Sequence, residues 1–228
     1  MRTEEQSNRF KDAPWFPQHE ENVIVGGAGG IGSWLSFFLS RAGFQVTVYD
    51  FDTVEESNLG GQLFRQQDVG STKVSAVLDI VKTFAGDNIN GMYGYYDANS
   101  AYHRFMFSAF DNMHARKVMF ESWKRSLRDA AVPPIFIDGR LEMEHLTIFA
   151  VTPENIDRYE QDYLFNDSEV DEAPCTMRQT THTAAAIASD MVAVFTNHIS
   201  NIYMGEILRS VPFKYERLLP AMFTDIEY

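Results

Sequence analysis

A chain of 228 residues with 45% hydrophobic and 22% charged residues holds enough apolar material for one sizeable α/β domain and is not of a disordered type. Its formal net charge of −13 speaks against a nucleic-acid backbone binder and for a well-solvated surface. No apolar run approaches the roughly 18 residues of a membrane helix, Met1 to Phe10 lacks the apolar core of a secretory signal, and a lone cysteine excludes internal disulfides and multi-cysteine zinc sites, so the cytoplasm is the expected compartment.

Residues 1–21, with Pro14 and Pro17, read as an arm before the first strand. The run Val23-Ile-Val-Gly-Gly-Ala-Gly-Gly-Ile-Gly-Ser33 reads as a buried strand, a glycine-rich turn and the start of a helix that closes at Gly43. A second strand, Phe44 to Tyr49, ends in Asp50. After a polar, glycine-containing loop to Gly70, Val74, Val77, Leu78 and Val81 form a helical stripe. Strands are expected at Asn90 to Tyr96, Phe105 to Phe110, Pro133 to Asp138 and Leu146 to Val151, the last a candidate for antiparallel direction, with a helix reaching Arg128 between the second and third of these. Residues 153–174 are acidic and read as a surface loop, and Thr183 to Tyr203 as a helix with small residues at its start. Alternating strands and helices predict an α/β fold with a doubly wound, mostly parallel sheet over 22–210 and a C-terminal extension at 211–228.

The glycine pattern Gly27-x-Gly29-x-x-Gly32, with Gly30 between, has a physical logic: a tight turn, close approach of backbone to phosphate, and close packing of helix on strand. The helix start adds unpaired N–H groups and a partial positive charge for an anion. Asp50 lies about 20 residues past the glycines, where a ribose hydroxyl is usually held. These features predict a nucleotide site, with NAD and ATP both open.

Further motifs narrow that choice. Asp50-Phe-Asp-Thr-Val-Glu-Glu-Ser-Asn58-Leu59 is followed by Gln62, Arg65 and Asp68-Val-Gly-Ser-Thr-Lys73, and Asp111-Asn112 with Arg116 comes after a later strand. In this order the motifs resemble those of the adenylating superfamily of ThiF, MoeB and the ubiquitin-activating enzymes, over about 22–140 and more weakly to about 205. The resemblance implies a Rossmann-like ThiF-type adenylation fold that binds ATP and Mg²⁺, with Gly27, Gly29, Gly30, Gly32, Asp50, Asp52, Asn58, Gln62, Lys73 and Asn112 around the nucleotide. Asp111 would hold the metal, and Lys73 with one arginine the β/γ oxygens. The chain departs from the family where an arginine is usual: the run is Asn58-Leu-Gly-Gly61-Gln62, and Gly61 carries no charge. Arg65, four residues on, is one stand-in, and Arg9 reaching over from a second copy is another.

Cys175 precedes the small-residue helix, as the cysteines of the autophagy activating enzyme and of ThiF do, so it is a candidate nucleophile for a thioester, with Arg178 or the helix start lowering its pKa; the alternative is an incidental cysteine. Asp138-Gly-Arg140 follows an inner strand and is a candidate lining of a carboxylate channel. The leading expectation is adenylation of the C-terminal carboxylate of a ubiquitin-like or sulfur-carrier protein with a Gly-Gly tail, by a homodimer. The alternatives are activation of a peptide or small-molecule carboxylate, and a nucleotide-binding scaffold for a catalytic partner. An NAD dehydrogenase ranks below these, because Asn58, Lys73 and Asp111 have no natural use there. No nucleic-acid or membrane partner is expected.

Overall fold

In the computed structural model, the structure describes residues 11–16, 21–129, 132–165 and 180–228. One eight-stranded sheet runs through the molecule, in the order β3-β2-β1-β4-β5-β6-β7-β8. Its first five members in space are parallel: β3 (Ile89–Tyr93), β2 (Gln45–Asp50), β1 (Asn22–Gly26), β4 (Phe105–Ser108) and β5 (Ile135–Glu142). β6 (His145–Val151), β7 (Lys214–Leu218) and β8 (Phe223–Glu227) follow antiparallel. The stretch read as a C-terminal extension therefore supplies two strands that lengthen the sheet.

Strand order reverses between β1 and β4, and α1 (Gly30–Ala42) and α3 (Met113–Arg125) both begin just beyond the carboxyl ends of these strands. Such a switch point opens a crevice by topology alone, since the two connections leave towards opposite faces. On one face α1, α2 (Lys73–Ala85) and α5 (Thr181–Met204) cover Val23, Val25, Val46, Val48, Phe105 and Phe107. On the other face α3 and α4 (Ile156–Asp162) cover Ile24, Met106 and Phe136. The alternation Phe105, Met106, Phe107 between the two cores is the period-two signature of a strand buried on both sides. Each such fully buried aromatic or aliphatic side chain contributes on the order of 2 kcal/mol.

The described part of the arm is tethered as well, for Trp15 packs against Phe44 with ring centroids 6.5 Å apart. The acidic segment expected to be a loop is helical at α4. Ile156, Tyr159 and Tyr163 recur at helical spacing and turn inward, and Tyr159 is fully buried. The helix after β4 ends at Arg125 and runs into a 3-10 turn, Ser126–Asp129, so the expected boundary at Arg128 falls in that turn.

Candidate active site

The glycine turn is locked by contact. Gly27 adopts φ +91° and its N–H donates to the Tyr49 carbonyl. A Cβ on Gly32 would lie 1.8 Å from the Gly27 carbonyl oxygen, so only glycine lets α1 start this close to β1. Gly29 is the opposite case: a Cβ there would meet nothing within 4 Å, and the residue borders the cleft. Its backbone, and that of Gly30, is bare towards the space where the first turn of α1 leaves N–H groups unpaired by helix geometry.

That space is a cleft of about 1110 Å³ at the carboxyl ends of the strands. Gly27, Gly29, Gly30, Asp50, Asp52, Gln62, Lys73, Asp111 and Asn112 all border it, so four separated motifs meet in one place. Asp50, at the end of β2, is buried and accepts N–H bonds from Ala28 at 2.6 Å and Asp52 at 2.7 Å. Burial raises its pKa above the usual carboxylate value, and these N–H groups and Lys73 offset part of the rise. Asp50 thus braces the glycine turn from below as well as facing the cleft. Lys73 is buried at the start of α2, and its Nζ donates to Asp52 Oδ2 at 2.7 Å.

Loop 59–63 is clasped from two sides: Leu63 N–H donates to Ser33 Oγ at 3.0 Å, and Thr181 Oγ donates to the Gly60 carbonyl at 2.8 Å. This holds Gln62 at the cleft, with its buried Oε1 lacking a hydrogen-bond partner among the described residues. A half-turn of the amide presents either a donor or an acceptor to an incoming ligand. Asn112 caps α3 by accepting from Ala115 N–H at 2.9 Å, and its Nδ2 donates to Asp111 Oδ1 at 3.2 Å, steadying that exposed carboxylate at the cleft.

Two expected site residues point elsewhere. Asn58 accepts the Glu55 N–H at 2.9 Å within a 3-10 turn and does not border the cleft. Arg65 also stands outside it: Nη2 donates to Asp68 at 2.7 Å and to Asp79 on α2 at 2.5 Å, while Nε donates to Asp68. Cys175, Arg178 and Arg9 lie outside the described residues.

An aromatic lip that the sequence did not single out, and a buried charge cluster built on the expected Asp138-Gly-Arg140 stretch, complete the cleft. Phe51 and Tyr95 stack with centroids 4.0 Å apart beside Asp50, and the only sequence hint was Phe51 following the acid directly. At the other end Asp138, fully buried, accepts from Arg116 Nη1, from Arg140 Nε at 2.7 Å and from the Tyr159 hydroxyl at 2.9 Å. Burial alone would raise the Asp138 pKa; the two guanidinium charges overcome it and hold the acid below its usual value.

Among known proteins, the rice (Oryza sativa subsp. japonica) ubiquitin-like modifier-activating enzyme 5 is 38% identical over 68 residues, 29% of this chain and 15% of that protein. The crystal structure of E. coli MccB with ATP superposes with a TM-score of 0.64 at 17% identity, covering 91% of this chain and 63% of MccB. MccB with MccA-N7isoASN gives 0.66 at 14% identity, covering 91% and 64%. The chain thus spans less than two thirds of each of these relatives, and the structural likeness speaks to fold. The ThiF family matches residues 18–211, which take in the glycine turn, the whole cleft and the sheet from β1 to β6. With its motifs gathered at the switch point of that sheet, the chain belongs to the ThiF family, the adenylating superfamily its sequence resembles.

Proposed function

We propose that this chain is an ATP-dependent adenylyltransferase acting on the C-terminal carboxylate of a ubiquitin-like or sulfur-carrier protein with a Gly-Gly tail. The observation that carries the reading is the meeting of the bare glycine turn, Asp50, the Lys73–Asp52 pair and Asp111 on one cleft of a ThiF-family chain. Asp50 would take the ribose, with the base against the Phe51–Tyr95 lip. The glycine turn and Lys73 would cradle the phosphates, Lys73 leaving Asp52 as the stronger anion arrives. Asp111 would hold Mg²⁺, which supplies charge neutralisation at the phosphates. A carboxylate oxygen of the substrate attacks the α-phosphorus, the bond to the bridging oxygen breaks, and pyrophosphate leaves. The protein's part in this is positioning and charge stabilisation.

Several finer parts belong to the same proposal. Cys175 would take the acyl group as a thioester. A homodimer would bring Arg9 of the partner subunit to the phosphates where Gly61 offers no charge. Arg65 could serve there only by leaving Asp68 and Asp79. The likeness to MccB with MccA-N7isoASN favours a second reading, in which the activated carboxylate belongs to a peptide. A scaffold that borrows an arginine from another subunit is a third.

Exchange of labelled pyrophosphate into ATP, with carriers ending in Gly-Gly, tests the proposal. Exchange is expected with one carrier class, loss of it by at least about 100-fold in Asp111→Ala, and unchanged exchange without thioester in Cys175→Ala. No exchange with any carrier, in protein that binds ATP, would overturn the carrier reading.

A further inference from the structure

The charge cluster at the β5 end of the cleft is unbalanced. Among the described residues one carboxylate, Asp138, faces two guanidinium groups, Arg116 and Arg140, and the three carry one positive charge in excess. Arg116, the more buried of the two, donates through Nη1 and Nη2 to Asp138 and to the Gly139 and Phe110 carbonyls. Arg140 is the more exposed. Its Nε is held by Asp138 and its Nη2 donates to the Tyr163 carbonyl at 2.9 Å, but Nη1 has no partner among the described residues. Glu142, next along the same face of β5, makes no ion pair with it among those residues. The guanidinium lies 4.8 Å from the Phe149 ring centroid and 5.8 Å from that of Phe165, and Arg140 borders the cleft. A guanidinium edge so fixed, against aromatic rings and short of one anion, is built to receive a planar anion.

Position decides which anion. Asp50 ends β2 and Arg140 sits on β5, three strand spacings apart in the order β2-β1-β4-β5, or about 14 Å. A nucleotide seated at Asp50, Lys73 and the glycine turn takes up the β2 and β1 side. The β5 side, beyond Asp111, is left for the acyl partner. We propose that Arg140, clamped by Asp138, receives the substrate carboxylate and presents it to the nucleotide. This rests on the adenylation reading above and adds the residue that recognises the acyl substrate, with Asp138 as a positioning residue.

The experiment follows the arginine Nε–H signals of the full-length, ¹⁵N-labelled protein while glycylglycine or its C-terminal amide is added, with ATP titrated in parallel samples. The Arg140 signal is the one absent from Arg140→Lys. Saturable movement with the acid, none with the amide, and at least about tenfold weaker dipeptide binding to Arg140→Gln are expected. An unmoved signal at about 50 mM acid, beyond the millimolar range of a single ion pair, would overturn the proposal, and so would equal movement with the amide. Movement with inorganic phosphate in place of the acid would also overturn it, making this a phosphate site. ATP binding without any Arg140 response removes the carboxylate seat alone. An Arg140 response without ATP binding keeps the seat and removes the adenylation reading.

Discussion

The two rims of the cleft are made of different materials. On the β1–α1 side the surface is backbone: a turn with Gly27 at positive φ, Gly32 pressed on Gly27, and Gly29 open to the cleft. On the β5 side it is charged and aromatic side chain, with Arg140 and Arg116 clamped on a buried Asp138 and backed by Tyr159 and Phe149. A glycine rim accepts whatever phosphate-bearing ligand approaches, because main-chain N–H groups are the same in every protein. A rim of side chains clamped through a fully buried acid can be re-tuned by one substitution. The difference suggests that the first rim sets the chemistry and the second the choice of acyl substrate.

The largest expected effect comes from breaking the second rim. Asp138→Asn removes the fully buried anion between the buried Arg116 and the half-buried Arg140, which costs about 3–5 kcal/mol when one partner of a buried ion pair is lost. Chemical denaturation checks this. A loss under about 1 kcal/mol would mean that Arg116 and Arg140 find other partners, and that the rim is less tightly clamped than the one opposite.

The glycine rim should separate stability from binding. Gly32→Ala pushes a methyl into the Gly27 carbonyl and should cost about 3 kcal/mol together with nucleotide binding. Gly29→Ala meets nothing, at φ −77°, and should stay within about 1 kcal/mol of the parent stability. It should still weaken ATP binding about tenfold or more, because its methyl stands where backbone must approach phosphate. Denaturation paired with calorimetric titration of ATP distinguishes the two, and equal losses of stability would contradict the contrast.

Legibility in the sequence followed the same division. The glycine rim is a local device, so Gly27 to Gly32, Asp50 and the strands around them could be read from spacing. Lys73 and Arg65 looked equivalent in one dimension, yet Lys73 turns to the cleft while Asp68 and Asp79 draw Arg65 away from it. Nothing in the local run tells which acid captures an arginine. The clamp on Arg140 is less readable still, since Arg116, Asp138 and Tyr159 come from three elements. In α4, acidic composition masked a helical stripe. Strands β7 and β8, KYERL and FTDIE, lack the clean alternation of apolar and polar residues: β7 is half-buried along most of its length and β8 is largely exposed.

The smallest effect expected lies beneath both rims, at the opposite end of the sheet. His198 on α5 is buried edge-on to Phe105, and its Nε2 lies 2.9 Å from the Pro133 carbonyl, a contact that requires the N–H on that nitrogen. Burial lowers its pKa, and the Pro133 bond offsets this only in part; His103 is lowered too, by burial and then by Arg104. In the unfolded chain both imidazoles take up protons near pH 6.5, before the folded protein does. Their contribution to stability is therefore complete above that pH and erodes as pH falls below it towards the folded values, by at most about 1.4 kcal/mol per pH unit for each group. Denaturation at pH 7 and pH 5.5 should show the loss, and His198→Gln should flatten it, leaving the His103 share. A profile unchanged in that variant would take the acid sensitivity away from His198 and assign it to other groups, His103 first among them.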